Sequence, residues 1–264
     1  MSAVATAMTT AAIAIVVLMI ATWLVSLALK NASIVDIVWG LGFVLVAWVV
    51  RLRVDDGLAA RQNLLVGMTT LWGLRLGGYL WWRNHGKGED YRYRAMRKHW
   101  GPRFPIISLG TVFGLQGVLM FTVSLPVQLG QTRVEPDLGV LAFIGIAVWA
   151  IGIFFEWVGD AQLARFKGDP SNQGKVMTRG LWKFTRHPNY FGDACVWWGI
   201  ALVAAETTVG KFGLIGALVM TILLRRVSGV VLLEKSLSKR KEGYVDYVAR
   251  TSPFFPRPPK RVAG

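Results

Sequence analysis

Apolar positions along this chain gather into blocks of about twenty residues, not into the short alternating runs of a sheet protein. Seven blocks stand out, at about 8–29, 34–50, 62–82, 107–129, 137–158, 190–207 and 212–233. A helix rising 1.5 Å per residue needs about twenty residues to cross ~30 Å of hydrocarbon. The pattern therefore predicts an all-α integral membrane protein with about seven transmembrane helices. The block at 190–207 is short and the one at 34–50 carries Asp36, so the count is bracketed at five to seven. The first block has no basic stretch before it and no cleavage site after it, and reads as a first span, not a signal peptide.

The polar stretches between the blocks are unequal. Residues 83–104 hold seven Lys/Arg against two acids, residues 159–189 six against two, and the tail from 234 eight against three. With seven spans these three segments share one side, and the positive-inside rule makes that side the cytoplasm. The N-terminus is then outside and the C-terminus cytoplasmic, in a multi-pass protein. No linker, repeat or low-complexity tract interrupts the chain, so residues 1–264 read as a single membrane domain, with a candidate cofactor half at roughly 137–258.

Composition sharpens this picture. The chain of 264 residues is 53% hydrophobic and only 17% charged, where soluble domains average about 25% charged. The lone Cys195 excludes an intrachain disulfide and cysteine-ligated metal sites. His85, His99 and His187 are too few for a histidine-rich site, so no metal is expected. The net charge of +15 points to basic loops beside anionic lipid or nucleotide phosphates. No nucleic-acid-binding motif accompanies it.

Ionisable residues at the mouth of an apolar block are costly and mark candidate sites. The stretch "FTRHPNYFGD" places Arg186, His187, Asn189 and Asp193 at the start of the sixth block. Pro188 suits a first helical turn, and a helix starting there points free N–H groups at an anion. Arg186 and Lys183 add full charges. Glu156 and Asp160, four apart on the preceding helix, share a face and with Asn189 suit ribose hydroxyls or a carboxamide. Trp197 suits a flat ring. The competing reading is an ordinary basic topology loop with an interfacial tryptophan anchor. Asp36 is a second candidate, as an intramembrane acid or as a simple partner of Arg75. "GEDYRYRAMRKHWG" reads either as an amphipathic helix lying on lipid or as a lid.

"RHPNYFGD" followed by "WWG" resembles the cofactor signature of the steroid 5α-reductase and sterol reductase superfamily. Over 35–256 the chain resembles its bacterial DUF1295 branch, through "VDIVWGLGF", "LWGLRLGGYLWWRN", "GKGEDYRYRAMRKHWG", "GLWKFTRHPNYFGD" and "EGYVDYVARTSPFFP". The resemblance implies a seven-helix membrane fold, NADPH as hydride donor, and reduction of an activated carbon–carbon double bond in a lipid. By position it implies cofactor contacts at Arg75, Arg83, Glu156, Asp160, Lys167, Lys175, Asn189, Trp197 and Glu234, with Tyr244 and Tyr247 folding the tail back over the loops. The superfamily's tyrosine before the third-span arginine is replaced by Trp72, and its early glutamate has no counterpart beyond Asp36. Asp36, Tyr91 and Tyr93 are therefore the candidate proton donors. Two other readings stay open. One is an S-adenosylmethionine-dependent isoprenylcysteine- or phospholipid-type methyltransferase, which shares an "RHP-x-Y-x-G" loop. The other is a non-enzymatic lipid transporter or scaffold.

Overall fold

The computed structural model describes residues 1–227 and 243–260. Among them every regular element is helical. Helices α1 (Ala3–Ala28), α2 (Ile34–Arg53) and α3 (Ala59–Asn84) coincide with the first three apolar blocks. A short α4 (Tyr91–Trp100) occupies the first basic stretch. The fourth block is α5 (Phe104–Ser108), a π turn at Leu109–Gly114, α6 (Leu115–Val123) and α7 (Leu125–Leu129). It breaks at Ser124 because Pro126 has no N–H to continue the ladder. Helix α8 (Val140–Gly168) runs about ten residues past its apolar block. Hydropathy ends where charge begins, but "GDAQLARFK" holds good helix formers and the helix continues to Gly168. Helix α9 (Pro188–Ala204) and α10 (Leu214–Ile222) follow, and a tail helix spans Tyr244–Arg250.

Four runs among the described residues are long and apolar enough to cross a membrane: Ala3–Ala28, Ile34–Arg53, Tyr91–Val123 and Val140–Gly168. The chain is thus a multi-pass helical membrane protein by length and composition. The other three expected blocks are helical but less apolar or shorter. Helix α3 carries Arg61, Arg75 and Arg83, α9 has 17 residues, and the last block passes from α10 into a π turn at Leu223–Val227.

The contacts divide the chain into two compact units, Met1–Phe143 with Ile200–Gly216, and Ile144–Gly199 with Ala217–Gly264. In the first unit α2 and α3 cross at Gly40 and Gly73, where an added Cβ would lie 2.7 Å and 2.5 Å from the opposite glycine's carbonyl oxygen. Lipid gives helices no hydrophobic reason to associate, so such close backbone approach supplies the packing. Trp39, Phe43 and Trp72 stack edge-to-face beside it, with centroids 5.1 and 5.5 Å apart. The loop after α7 and the end of α2 are held by buried side chains: Arg61 donates to the Arg133 and Pro136 carbonyls, and Gln62 to those of Gln131 and Val54. Buried irregular backbone must be satisfied this way.

In the second unit α8 and α9 meet through glycines. A Cβ on Gly152 or on Gly192 would lie 2.6 Å from the other's carbonyl oxygen, and one on Gly199 2.6 Å from that of Gly145. The tail is stitched to the loop before α9. Thr185 Oγ1 donates to the Phe254 carbonyl, the Arg186 N–H to that of Ser252, and the Arg257 N–H to that of Phe184, each at 2.9 Å.

Candidate functional site

The candidate residues fall into two clusters, one in each unit. In the second unit, the glycine crossing brings the end of α8 against the start of α9. The space left by the missing Cβ of Gly192 is taken up by Glu156, whose Cγ lies 2.8 Å from where that Cβ would be. One turn on, Asp160 Oδ1 accepts from Asn189 Nδ2 at 3.3 Å. Asn189 Oδ1 accepts from the Tyr190 N–H at 3.1 Å, which fixes the amide's orientation at the helix start. Glu156 and Asp160 are 2% and 5% exposed. Two buried carboxylates one turn apart, beside a helix N-terminus and an amide, form an acceptor-rich crease suited to hydroxyl or N–H donors.

The helix start lies where Pro188 places it, and Thr185 Oγ1 caps it by accepting the His187 N–H at 3.3 Å. His187 is buried and stacks on Tyr190 at 5.3 Å with planes 9° apart. Trp197 is fully buried and Asp193 half-buried on α9. Lys167, in the last turn of α8, and Lys175, in the segment that follows, are both exposed. Arg186 is turned inward, 7% exposed. Its Nη1 donates to the Val248 and Thr251 carbonyls at 2.8 and 2.7 Å. The expected cationic face for a ligand is here a clamp on the tail, because a buried guanidinium needs acceptors and the tail carbonyls supply them. Tyr247 adds a hydrogen bond to the Trp182 carbonyl, and Tyr244 is buried beside it with centroids 6.0 Å apart. Glu234 lies outside the described residues.

In the first unit Asp36, in the first turn of α2, meets α4. Its Oδ1 accepts from the Tyr93 hydroxyl at 2.8 Å and its Oδ2 from Arg92 Nη2 at 2.6 Å. Tyr93 is buried, whereas Tyr91 is 61% exposed. Two acids just before α4 complete the anchoring. Glu89 accepts from Arg97 at 2.8 and 3.0 Å and from the Ala32 N–H at 2.8 Å. Asp90 accepts from Arg92 Nε and from its backbone N–H, each at 2.9 Å. Burial pushes both carboxyls up, but hydrogen bonds from Arg97 and Ala32 to Glu89, and from Arg92 to Asp90, outweigh it and hold both below the usual range. Arg75 and Arg83 belong to the same unit, each about 5.6 Å (5.6 and 5.7 Å) from the Tyr79 ring centroid.

Several residues emerge only from the fold. Gln162 Oε1 accepts from the Leu181 N–H at 2.9 Å and Trp182 Nε1 donates to the Gly159 carbonyl at 3.0 Å, so the "GLW" turn is tied to α8. The glycines at 145, 152 and 159, and at 192 and 199, repeat every seven residues. That spacing was a readable sign of a helix seam. Arg92 had no such sign. No group of three or more His, Cys, Asp or Glu able to hold a metal occurs among the described residues.

Comparison with known proteins adds a family and one partial relative. "Probable O-methyltransferase ustE" of Ustilaginoidea virens is 33% identical over 81 residues, 31% of this chain and 27% of that protein. The chain thus spans well under a third of that relative's length. No solved structure matches. The family model described as "Protein of unknown function (DUF1295)" matches residues 22–251, nearly the whole length, and the chain belongs to the DUF1295 family.

Proposed function

We propose that this protein is a membrane-embedded reductase that takes NADPH at the α8–α9 crease and reduces an activated C=C bond of a lipid. The observation that carries the reading is the buried Glu156–Asp160 pair, with Asp160 held by Asn189 at the start of α9. Carboxylates and an amide so placed accept from ribose hydroxyls, and the exposed Lys167 at the end of α8 and Lys175 beyond it suit phosphates. NADPH supplies a hydride when bound. The chain's part at the crease is to orient the nucleoside. Tyr93, in the first unit, is the candidate proton donor: its hydroxyl hydrogen sits on a defined acceptor, Asp36 Oδ1, with Arg92 balancing the carboxylate charge.

A second reading, methyl transfer from S-adenosylmethionine, is favoured by the methyltransferase relative and by the inward turn of Arg186, which leaves fewer cations for phosphates. The same acid pair would suit the ribose of either cofactor. Calorimetric titration of the purified protein with NADPH and with S-adenosylmethionine separates the two. We expect NADPH to bind, and Asp160→Asn and Asn189→Ala each to weaken it about tenfold, roughly 1.4 kcal/mol. Binding of S-adenosylmethionine alone moves the assignment to the second reading, and binding of neither overturns both.

A further inference from the structure

We infer that the end of the first unit formed by residues 30–37 and 81–103 is a docking surface for anionic phospholipid headgroups. This stands apart from the cofactor reading and does not rest on it. At this end α1 and α3 finish and α2 and α4 begin, and it holds eight Lys/Arg against three acids. All three acids are spent. Asp36 and Asp90 take Arg92, and Glu89 takes Arg97. Among the described residues no ion pair reaches Lys30, Arg83, Lys87, Arg94, Lys98 or Arg103, and all six are exposed.

The acids therefore do not neutralise the surface; they fasten α4 to it. Tyr93 and Arg92 fix the start of α4 to α2. Arg97 fixes its last turns to Glu89 and lies over the Phe104 ring at 4.5 Å. The remaining positions, Arg94, Lys98 and, just past the helix, Arg103, face outward. Gly101 ends α4 at φ +53°, so the chain bends before the apolar run resumes. Exposed Trp81, Trp82, Tyr91 and Trp100 stand among the cations, the residue types that favour the headgroup level. A cleft of about 190 Å³ opens at the same place, lined by the polar Asn31, Ser33, Asn84 and His85 and the apolar Ile34, Ile37 and Trp81. That mixture matches the boundary between a headgroup and its glycerol. Exposed cations outside any ion pair, with interfacial aromatics on a fixed scaffold, recognise negative lipid, not zwitterionic lipid.

The test uses the full-length protein in bilayers of phosphatidylcholine with increasing brominated phosphatidylglycerol, or brominated phosphatidylcholine as reference, with tryptophan fluorescence as readout. Each cation near an anionic surface changes partition about fivefold. The wild type should be quenched preferentially by the brominated anionic lipid. R94Q/K98Q/R103Q should lower that preference more than tenfold with an unchanged helical spectrum, and about 0.5 M salt should lower it in the wild type. Arg53→Gln, at the opposite end of α2, should leave it intact. Equal quenching by both lipids in the wild type, or a preference that survives in the triple variant, overturns the inference.

Discussion

Replacing Gly192 by alanine tests the seam on which the second-unit site is built. The added methyl would lie 2.6 Å from the Gly152 carbonyl oxygen and 2.8 Å from both the backbone N and Cγ of Glu156. Two of those three atoms are helix backbone and cannot swing aside. Ordinary contact begins at about 3.4 Å, so α8 and α9 must part locally by about 0.8 Å. Overpacking of this kind costs about 1–3 kcal/mol, and the gain in helix propensity from glycine to alanine returns up to about 1 kcal/mol. A net loss of about 1–2 kcal/mol is expected. The same opening would carry the 3.3 Å Asp160–Asn189 contact past hydrogen-bonding range, so nucleotide affinity should fall with stability. Unfolding in mixed micelles titrated with dodecyl sulfate gives the first quantity and cofactor titration the second. Gly78→Ala is the control, because nothing lies within 4 Å of a Cβ there. The approach is mutual, so Gly152→Ala should cost a similar amount and the double variant less than the sum. A Gly192→Ala protein as stable as the Gly78→Ala control would refute the seam.

Two further outcomes follow from the first unit. Glu89→Gln should cost about 1 kcal/mol at neutral pH, discounted because Arg97 is partly exposed. The folded carboxyl lies below its ordinary value of 4.5, so its contribution is complete above that value and lost as pH falls through the folded one. The stability gap between wild type and Glu89→Gln should therefore hold from pH 7 to about 5 and close below 4.5; a gap that widens in acid contradicts the sign. Tyr93→Phe removes the 2.8 Å bond to Asp36 and, if the phenol delivers the proton, should lower turnover about 10²–10⁴-fold with cofactor affinity unchanged. A parallel loss of affinity would assign Tyr93 a structural role instead.

How much of this was legible depended on whether a property belongs to a segment or to a pair of atoms. The apolar blocks announced α1, α2 and α3 within a few residues, because burial in lipid acts on every position of a span alike. The start of α9 was legible from Pro188 for a local reason, the tolerance of the first turn for a residue without an N–H. The end of α8 was not, since a helix that leaves the apolar zone keeps its backbone pattern while its side chains become polar. The Asp160–Asn189 contact was legible as a nearness of two motifs, 29 residues apart. Asp36 with Arg92 and Tyr93, 56 and 57 residues apart, was not. Asp36 and Tyr93 each stand out in the sequence, but nothing in either local stretch points to the other.

Basic residues show the limit most clearly, because the same letter serves opposite ends. Arg186 and Arg94 both sit in basic stretches that the topology rule counts equally. Arg186 is 7% exposed with two tail carbonyls on one nitrogen, whereas Arg94 is exposed and without an ion pair among the described residues. The cost of burying a guanidinium is what separates them: once dehydrated it must be surrounded by acceptors, and those acceptors are then unavailable to a ligand, as it is to them. A cation that holds a fold together is thus removed from the pool that can attract phosphate, whether on a cofactor or on a lipid. In the first unit the three acids remove Arg92 and Arg97 in the same way. The charge that remains to act on the surroundings is therefore smaller than composition suggests and confined to fewer places, which is why R94Q/K98Q/R103Q is expected to change lipid preference while leaving the fold intact.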